Sequence, residues 1–218
     1  SAFSVIRCGR SMLPDGSLEE IDPAKADAHD AATLAMISYA PRRVVLPPNQ
    51  PQSIRIGVRV PQGLPDGEYR AHMLFRAIPD ARPVESGNGR KDGVSIALTP
   101  IYGVTIPIIV RQGSLAATAA IANPRILREK EGPALAFTLS RSGSRSVYGQ
   151  IRITKPGVAK PVFEVRGIAV YAEIPARTVK LAIPEDLVAA LMGPVKIEYL
   201  EDNEAGGGTI ASLDAVIR

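Results

Sequence analysis

The sequence predicts an all-β protein built from two immunoglobulin-like β-sandwich domains. Short apolar runs with a period of two recur along the 218 residues and are separated by turn residues. Glycine and proline are both frequent, with 19 of each. Helical signals are confined to two short segments. Many short strands joined by regular turns are typical of β-sandwiches.

The first half of the chain contains four short predicted strands ahead of one long apolar stretch. Asp22 followed by Pro23 predicts the start of a helix that continues through "AKADAHDAATLAMI". Tyr69 follows the tight turn "LPDG", as expected of the tyrosine that forms the corner of an immunoglobulin-like sandwich. The four predicted strands are "AFSVIRC", "RRVVL", "SIRIGVRV" and "EYRAHMLFRAI".

The second half repeats this alternation of strands and turns. A second short helix is predicted from Pro184 to Gly193. The connection "RQGSLAAT" places the domain boundary so that residues 1–113 form the first domain and residues 114–218 the second. The predicted strands are "ALAFTLS", "VYGQIRI", "VFEVRGIAVYAEI", "TVKLAI", "VKIEYL" and "TIASLDAVI".

Composition and motif content argue against most kinds of chemistry. The net charge of +4 is divided evenly between the halves, without the basic stripe expected of a nucleic-acid-binding protein. Cys8 is the one cysteine, and His29 and His72 are the two histidines, so neither a disulfide nor a zinc site is expected. No nucleophile, phosphate or dinucleotide motif occurs. We expect no enzymatic activity and no cofactor, and no apolar run reaches the length of a membrane span.

The long apolar stretch, residues 94–110, is the most informative part of the sequence. It reads "VSIALTPIYGVTIPIIV", and every even-numbered position in it is apolar. The odd-numbered positions are mostly small or polar. A period of two predicts a strand with one apolar face, and this pattern outlasts the strand of about 5–6 residues found in most sheets. The apolar positions are Val94, Ile96, Leu98, Pro100, Tyr102, Val104, Ile106, Ile108 and Val110.

Two interpretations of this stretch follow from the residues alone. In one, it is a core strand whose apolar face its own sandwich buries. In the other, it is an exposed edge that binds a strand of another chain, or of a second copy of itself. Pro100 and Pro107 lack a backbone N–H, and one is even-numbered and the other odd-numbered. In a regular strand their missing donors would therefore face opposite neighbouring strands, which a single unpaired edge does not explain. An irregularity is expected near Tyr102 and Gly103.

Three segments in the first half resemble the periplasmic pilus-assembly chaperones with paired immunoglobulin-like domains. "ISYAPRRVVLPPNQPQSIRI" is similar to the family's Pro-rich strand, "YRAHMLFRAIP" to its next-to-last first-domain strand, and "SIALTPIYGVTIPIIVR" to its last one. They occur in the family's order. "SAFSVIRC" resembles the family's third strand, so the resemblance leads us to expect a first domain without its initial strands in this chain.

The resemblance implies donor-strand complementation, in which the chaperone lends alternate apolar side chains to a subunit whose sandwich lacks a strand. It implies a periplasmic location, and a pilin-like or coat-like secreted subunit and an outer-membrane usher as partners. The residues expected to bind the subunit are Val94, Ile96, Leu98, Pro100, Tyr102, Val104 and Ile106.

The family's anchor for the carboxylate end of the subunit is only partly matched. Pro107 stands where the family has a basic residue, four positions before the closing arginine. That closing arginine is Arg111, which is the candidate anchor. Ala77 stands where the family often has the acidic residue that pairs with it.

The alternative function is a structural or adhesive module of two sandwiches without chaperone activity, in which the long strand is buried internally. A hydrolase on a β scaffold is a third class, but the sequence offers no convergent polar site for it.

Overall fold

The computed structural model describes residues 2–79, 99–203 and 205–218, and it confirms the all-β prediction. All sheets in this part of the chain are antiparallel wherever their register is defined. The helices are α1, Ala28–Met36, and α2, Glu185–Leu191. The strands are β1, Ala2–Cys8; β2, Arg10–Met12; β3, Leu18–Glu20; β4, Ile37–Ala40; β5, Arg43–Val45; β6, Arg55–Val58; β7, Gly67–Ile78; β8, Gly103–Gln112; β9, Ala117–Glu129; β10, Gly132–Gly143; β11, Val147–Thr154; β12, Phe163–Val170; β13, Ala176–Ala182; β14, Gly193–Glu201; and β15, Gly208–Ile217.

The chain divides into two compact units. In the described residues, unit 1 contains two sheets, and unit 2 contains two larger sheets and the hairpin of β2 and β3. Unit 1 consists of Ser1–Gly9, Ile21–Leu64 and Tyr69–Ile109. Unit 2 consists of Arg10–Glu20, Pro65–Glu68 and Val110–Arg218. Neither unit is continuous in sequence, and the division at residue 113 stays a prediction.

Unit 1 has a small apolar core between its two sheets. One sheet has the strand order β5-β1-β7-β8, and the other consists of β4 and β6 in the described residues. Val5, Val44 and Met73 form the buried centre of the core. The half-buried side chains that pack against this centre come from both sheets and from Ile54, which directly precedes β6. Those on strands are Phe3, Tyr39, Phe75 and Ile108.

Unit 2 contains the larger core. Its sheets have the orders β13-β10-β9 and β12-β11-β14-β15. Phe137 on β10, Ile151 on β11 and Tyr199 on β14 are fully buried between them. The Tyr199 hydroxyl donates a hydrogen bond of 2.8 Å to the Ile168 carbonyl, so its one polar atom is satisfied.

The hairpin formed by β2 and β3 belongs to unit 2, although it follows β1 of unit 1 in sequence. The predicted turn "LPDGS" connects its strands, and Asp15 accepts hydrogen bonds from the amide and hydroxyl of Ser17. The Thr178 amide of β13 donates to the Pro14 carbonyl at 2.8 Å. The hairpin thus hydrogen-bonds with β13, which is an outer strand of its sheet in the described residues.

Helix α1 begins later than the sequence predicts. Its N-cap is Asp27, whose Oδ1 accepts a hydrogen bond of 2.8 Å from the Asp30 amide. Asp22 instead stabilises a separate turn by accepting from the Ala24 amide. The prediction of Asp22 as the cap was wrong because both aspartates are acceptable caps in sequence, and only Asp27 has the first helical turn within reach.

Replacing Asp27 with alanine is expected to lower the stability of unit 1 by about 1 kcal/mol, because the first turn loses its side-chain cap. Urea unfolding followed by circular dichroism measures the effect. Asp22→Ala is the matched control and should change stability by less than about 0.5 kcal/mol. Equal losses in the two variants would contradict the assignment of Asp27 as the cap.

Candidate functional site

Strand β8 lies at the end of its sheet. In the described residues, β7 is its one hydrogen-bonded neighbour. The pairing begins ahead of the strand, where the Ala77 amide donates to the Tyr102 carbonyl at 2.8 Å. Within the described part of the chain, the other side of β8 therefore has backbone donors and acceptors to which a further strand can bind.

The apolar side chains at even positions of β8 begin in the core of unit 1 and continue into solvent. Ile108 packs against the core. Alternate residues of a strand share a face, so Ile106 and Val104 continue on the side of Ile108, and Tyr102 directly precedes the strand. Their exposed fractions are 50%, 63% and 73%, rising with distance from the core. The result is an apolar strip along an open edge, the arrangement that strand addition requires.

The remaining predicted binding residues differ in what the structure describes of them. Val94, Ile96 and Leu98 lie outside the described residues. Pro100 is exposed and precedes β8 without belonging to a strand. Of the predicted residues, Val104 and Ile106 therefore lie on β8 and Tyr102 directly precedes it, and assignment of the whole set to partner binding stays a prediction.

Pro107 is compatible with the pairing of β8 with β7. In an antiparallel pair, both backbone groups of one residue point to the same neighbour, and successive residues alternate. The Tyr102 carbonyl accepts from the Ala77 amide of β7. Regular alternation continued from this bond directs the backbone groups of odd-numbered residues of β8 to the side away from β7. Pro107 is odd-numbered, so the N–H that it lacks would point away from β7. No hydrogen bond between β8 and β7 is lost at this residue. Strand β8 begins at Gly103, and the irregularity expected near Tyr102 and Gly103 stays a prediction.

Arg111 has a carboxylate partner that the sequence did not reveal. Its Nε donates a hydrogen bond of 3.0 Å to Oε2 of Glu68, within unit 2. The same Oε2 accepts from the Ser146 amide at 3.0 Å, and the Ser146 hydroxyl donates to Oε1. The Glu68 side chain is 1% exposed and that of Arg111 is 26% exposed. Glu68 thus joins the start of β7, the end of β8 and the residue preceding β11.

A second buried ion pair lies next in sequence to Ser146. The guanidinium of Arg145 binds Glu201 with two nitrogens, and the Nη2–Oε2 distance is 3.0 Å. Hydrogen bonding to Glu201 raises the pKa of Arg145, although burial opposes the rise. A planar guanidinium that binds both carboxylate oxygens fixes the geometry of the pair. Arg145 therefore holds the end of β14 against the turn between β10 and β11.

The structure offers no sign of a metal site in the residues it describes. No group of three or more histidine, cysteine or acidic side chains within them is arranged to hold a metal ion. His72 is fully buried on β7, as expected of a packed residue. His29 is exposed, and its ring stacks on that of Tyr69 with a centroid distance of 4.5 Å.

Of the helices within the described part of the chain, none has the length and apolar character to cross a membrane.

The fold and the open strand define an all-β protein with an apolar sheet edge, and comparisons with known proteins add a distant likeness. No protein-family model matches the chain, and no curated protein matches it. One solved structure that matches is described as "Chaperone-tip adhesin complex is vital for synergistic activation of CFA/I fimbriae biogenesis". The match covers 100% of this chain and 84% of the other, at 14% identity and a TM-score of 0.36. A likeness this distant carries no information on what this chain binds.

Proposed function

We propose that this protein is a periplasmic chaperone that binds and stabilises subunits of a pilus or fibre by donor-strand complementation. The observation that supports the proposal most directly is the open edge of β8, with Tyr102, Val104 and Ile106 exposed beside it. The backbone of the edge supplies hydrogen bonds, and the alternate side chains fill a groove in the subunit.

The size of the apolar contact is sufficient for this role. Burying a large apolar side chain contributes about 1.5–3 kcal/mol before ordering costs. Three such side chains are exposed on the described part of the strip, and the sequence pattern extends it through Pro100, Leu98, Ile96 and Val94. Residues 99–110 carry no charge, so no buried charge opposes insertion.

The partners of such a chaperone are a pilin-like or coat-like secreted subunit and an outer-membrane usher. Arg111 is the candidate anchor for the carboxylate end of the subunit, since about a quarter of its side chain reaches solvent while Glu68 holds its Nε. The alternative, a structural or adhesive module, requires the long strand to be buried internally. The exposure of Tyr102, Val104 and Ile106 favours the chaperone.

Changing Tyr102 and Val104 together to aspartate is expected to abolish subunit binding and leave the fold unchanged. Both side chains are exposed, so the charges are tolerated in the free protein but would be buried without a partner in the complex. The measurement is co-purification of a secreted fibre or coat subunit of the source organism, co-expressed with the tagged chain.

Ile101→Asp is the matched control, because Ile101 is exposed and apolar but has the opposite parity. It should retain the subunit. Unchanged co-purification with the double variant would overturn the proposal, and unfolding of the double variant would favour the structural module. The sequence pattern predicts the same loss for Ile96→Asp combined with Leu98→Asp.

A further inference from the structure

A polar pocket of about 330 Å³ lies on the outer face of the sheet β12-β11-β14-β15 in unit 2, and its size is within the range of small-molecule sites. Gln150 of β11 lies directly opposite Leu200 of β14, so the two side chains share a face. Their neighbours Ile151 and Tyr199 are buried in the core, which places Gln150 and Leu200 on the outer side. The lining residues used below are Gln150, Arg166, Leu200, Glu201, Asp202 and Asn203.

Two irregularities in strand pairing meet at this pocket. Between β11 and β12 the register shifts at Gln150, which faces both Arg166 and Gly167. Gly167 has a φ of 79°, a conformation that glycine adopts without strain. Between β14 and β15 the register shifts at Leu200. Such β-bulges redirect side chains and are over-represented next to functional sites.

The turn between β14 and β15 has a hydrogen-bonded backbone at the edge of the pocket. The Asp202 amide donates to the Tyr148 carbonyl at 3.0 Å, and the Asp202 carbonyl accepts from the amides of residues 205–207 at 2.8 to 3.1 Å. A Cβ atom on Gly206 would lie 2.6 Å from Oε2 of Glu201, so the glycine allows the turn to approach this buried carboxylate closely. The backbone of the residue that carries the acidic side chain is therefore held at both its amide and its carbonyl.

The described polar groups at the pocket combine donors and acceptors without a net charge. The Arg166 Nε donates to Oε1 of Gln150 at 3.2 Å, which leaves the two Nη groups as further donors among the described residues. The carboxylate of Asp202 accepts, and the carboxamide of Asn203 does both. The charges of Arg166 and Asp202 cancel, and the ion pair described above neutralises Glu201. A ligand that fits this set is polar, neutral, and able both to donate and to accept.

We propose that this pocket binds a neutral saccharide. The neighbouring hydroxyls of a sugar ring donate and accept, so they can hydrogen-bond to Arg166 and Gln150 and to the carboxylate of Asp202. The half-buried side chain of Leu200 supplies an apolar contact for the C–H groups of the ring. Strands β11 and β14 are interior strands with paired backbones on both sides, so a peptide cannot bind to them by strand addition.

The saccharide site does not depend on the proposed chaperone function. All of its residues belong to unit 2, whereas Tyr102, Val104 and Ile106 belong to unit 1. Variants of the two sites therefore test the two hypotheses separately.

The test is an NMR titration of the isotope-labelled whole chain with D-glucose, D-galactose, D-mannose and N-acetyl-D-glucosamine. Each sugar is raised to about 50 mM, since a shallow site is expected to bind with a Kd on the order of 1 mM. At least one sugar should cause saturable shifts of the side-chain signals of Gln150, Asn203 and the Arg166 Nε. Arg166→Ala and Asp202→Asn should each weaken this binding at least roughly tenfold.

Arg152→Ala is the matched control, because Arg152 lies on the same face of β11 but pairs with Glu164 outside the pocket. It should bind the sugar like wild type. Circular dichroism checks that each variant folds. Arg166→Lys, which lacks the planar group with its paired donors, replaces Arg166→Ala if the alanine variant does not fold.

Absence of saturable shifts with all four sugars would overturn the proposal. So would binding that Arg166→Ala or Asp202→Asn leaves unchanged, and so would saturation by glycine in place of the sugars, which would assign the pocket to zwitterionic amino acids. Subunit co-purification by Arg166→Ala should be unchanged, and the Tyr102 and Val104 double variant should bind the sugar like wild type. Failure of the saccharide site and failure of the chaperone function are therefore distinguishable.

Discussion

Gly149→Val is expected to destabilise unit 2 by about 3 kcal/mol, because there is no space for a side chain at this position. Gly149 lies on β11 opposite Glu201 of β14. A Cβ atom at residue 149 would lie 2.0 Å from the Leu200 carbonyl oxygen and 2.9 Å from the Cα of Glu201. Both are backbone atoms of the neighbouring strand, so relief requires moving β14 and not rotating a side chain.

The irregular pairing of β11 explains this close approach. Its register with β12 shifts between Gly149 and Ile151, so the strand bends at the glycine. Urea unfolding followed by circular dichroism measures the loss. Gln150→Ala is the control one residue along, and its cost should be below about 1 kcal/mol because the side chain is half-buried and hydrogen-bonds only at the surface. A valine variant as stable as this control would show that β11 and β14 separate easily at this point.

The sequence was most informative where alternation coincides with large β-branched or aromatic residues. "VYGQIRI" predicts β11 and "EYRAHMLFRAI" predicts most of β7, because a strand with one buried face imposes a period of two. Strand β9 was not predicted. Its sequence begins "ATAAIANP", in which alanine gives little contrast between the faces and a proline interrupts the run.

Within the candidate site, the apolar strip was predictable and the partners of Arg111 were not. Alternation along residues 94–110 is a local property, so it identifies Tyr102, Val104 and Ile106 as one face. Arg111 and Ser146 lie 43 and 78 residues from Glu68 in sequence, although both donate to its carboxylate. No local sequence pattern predicts such a contact. The family pattern places the acidic partner of the closing arginine at position 77, where this chain has Ala77, which has no carboxylate.

The exposure of the strip also could not be predicted, because alternation states which side chains share a face and not what covers that face. Val44 and Val104 are equally apolar, yet Val44 is buried in the core and Val104 is 63% exposed. The difference arises from the position of each strand in its sheets, which is a tertiary property. A functional edge and a core strand therefore produce the same sequence signal.

Glu68→Ala is expected to lower the free energy of unfolding of unit 2 by about 3 kcal/mol, because it leaves buried donors without their acceptor. The substitution removes the acceptor of the Arg111 Nε, of the Ser146 amide and of the Ser146 hydroxyl. The Ser146 side chain and amide are buried and cannot turn to water. Urea unfolding measures the loss. Glu164→Ala is the matched control, since Glu164 pairs with Arg152 at the surface, and such a pair contributes up to about 1 kcal/mol.

A double-mutant cycle with Arg111→Ala separates the ion pair from the rest of the group. Arg111→Ala alone should cost less than Glu68→Ala, because the carboxylate keeps both donors of Ser146. The two substitutions should be non-additive by about 1–2 kcal/mol, since each removes the same contact. If the losses were simply additive, Arg111 would not stabilise the buried carboxylate, and its guanidinium would be available for another anion. Because Arg111 lies at the end of β8, that outcome would strengthen the proposal that it anchors a subunit, whereas the expected coupling would assign it first to holding the end of β8 in place.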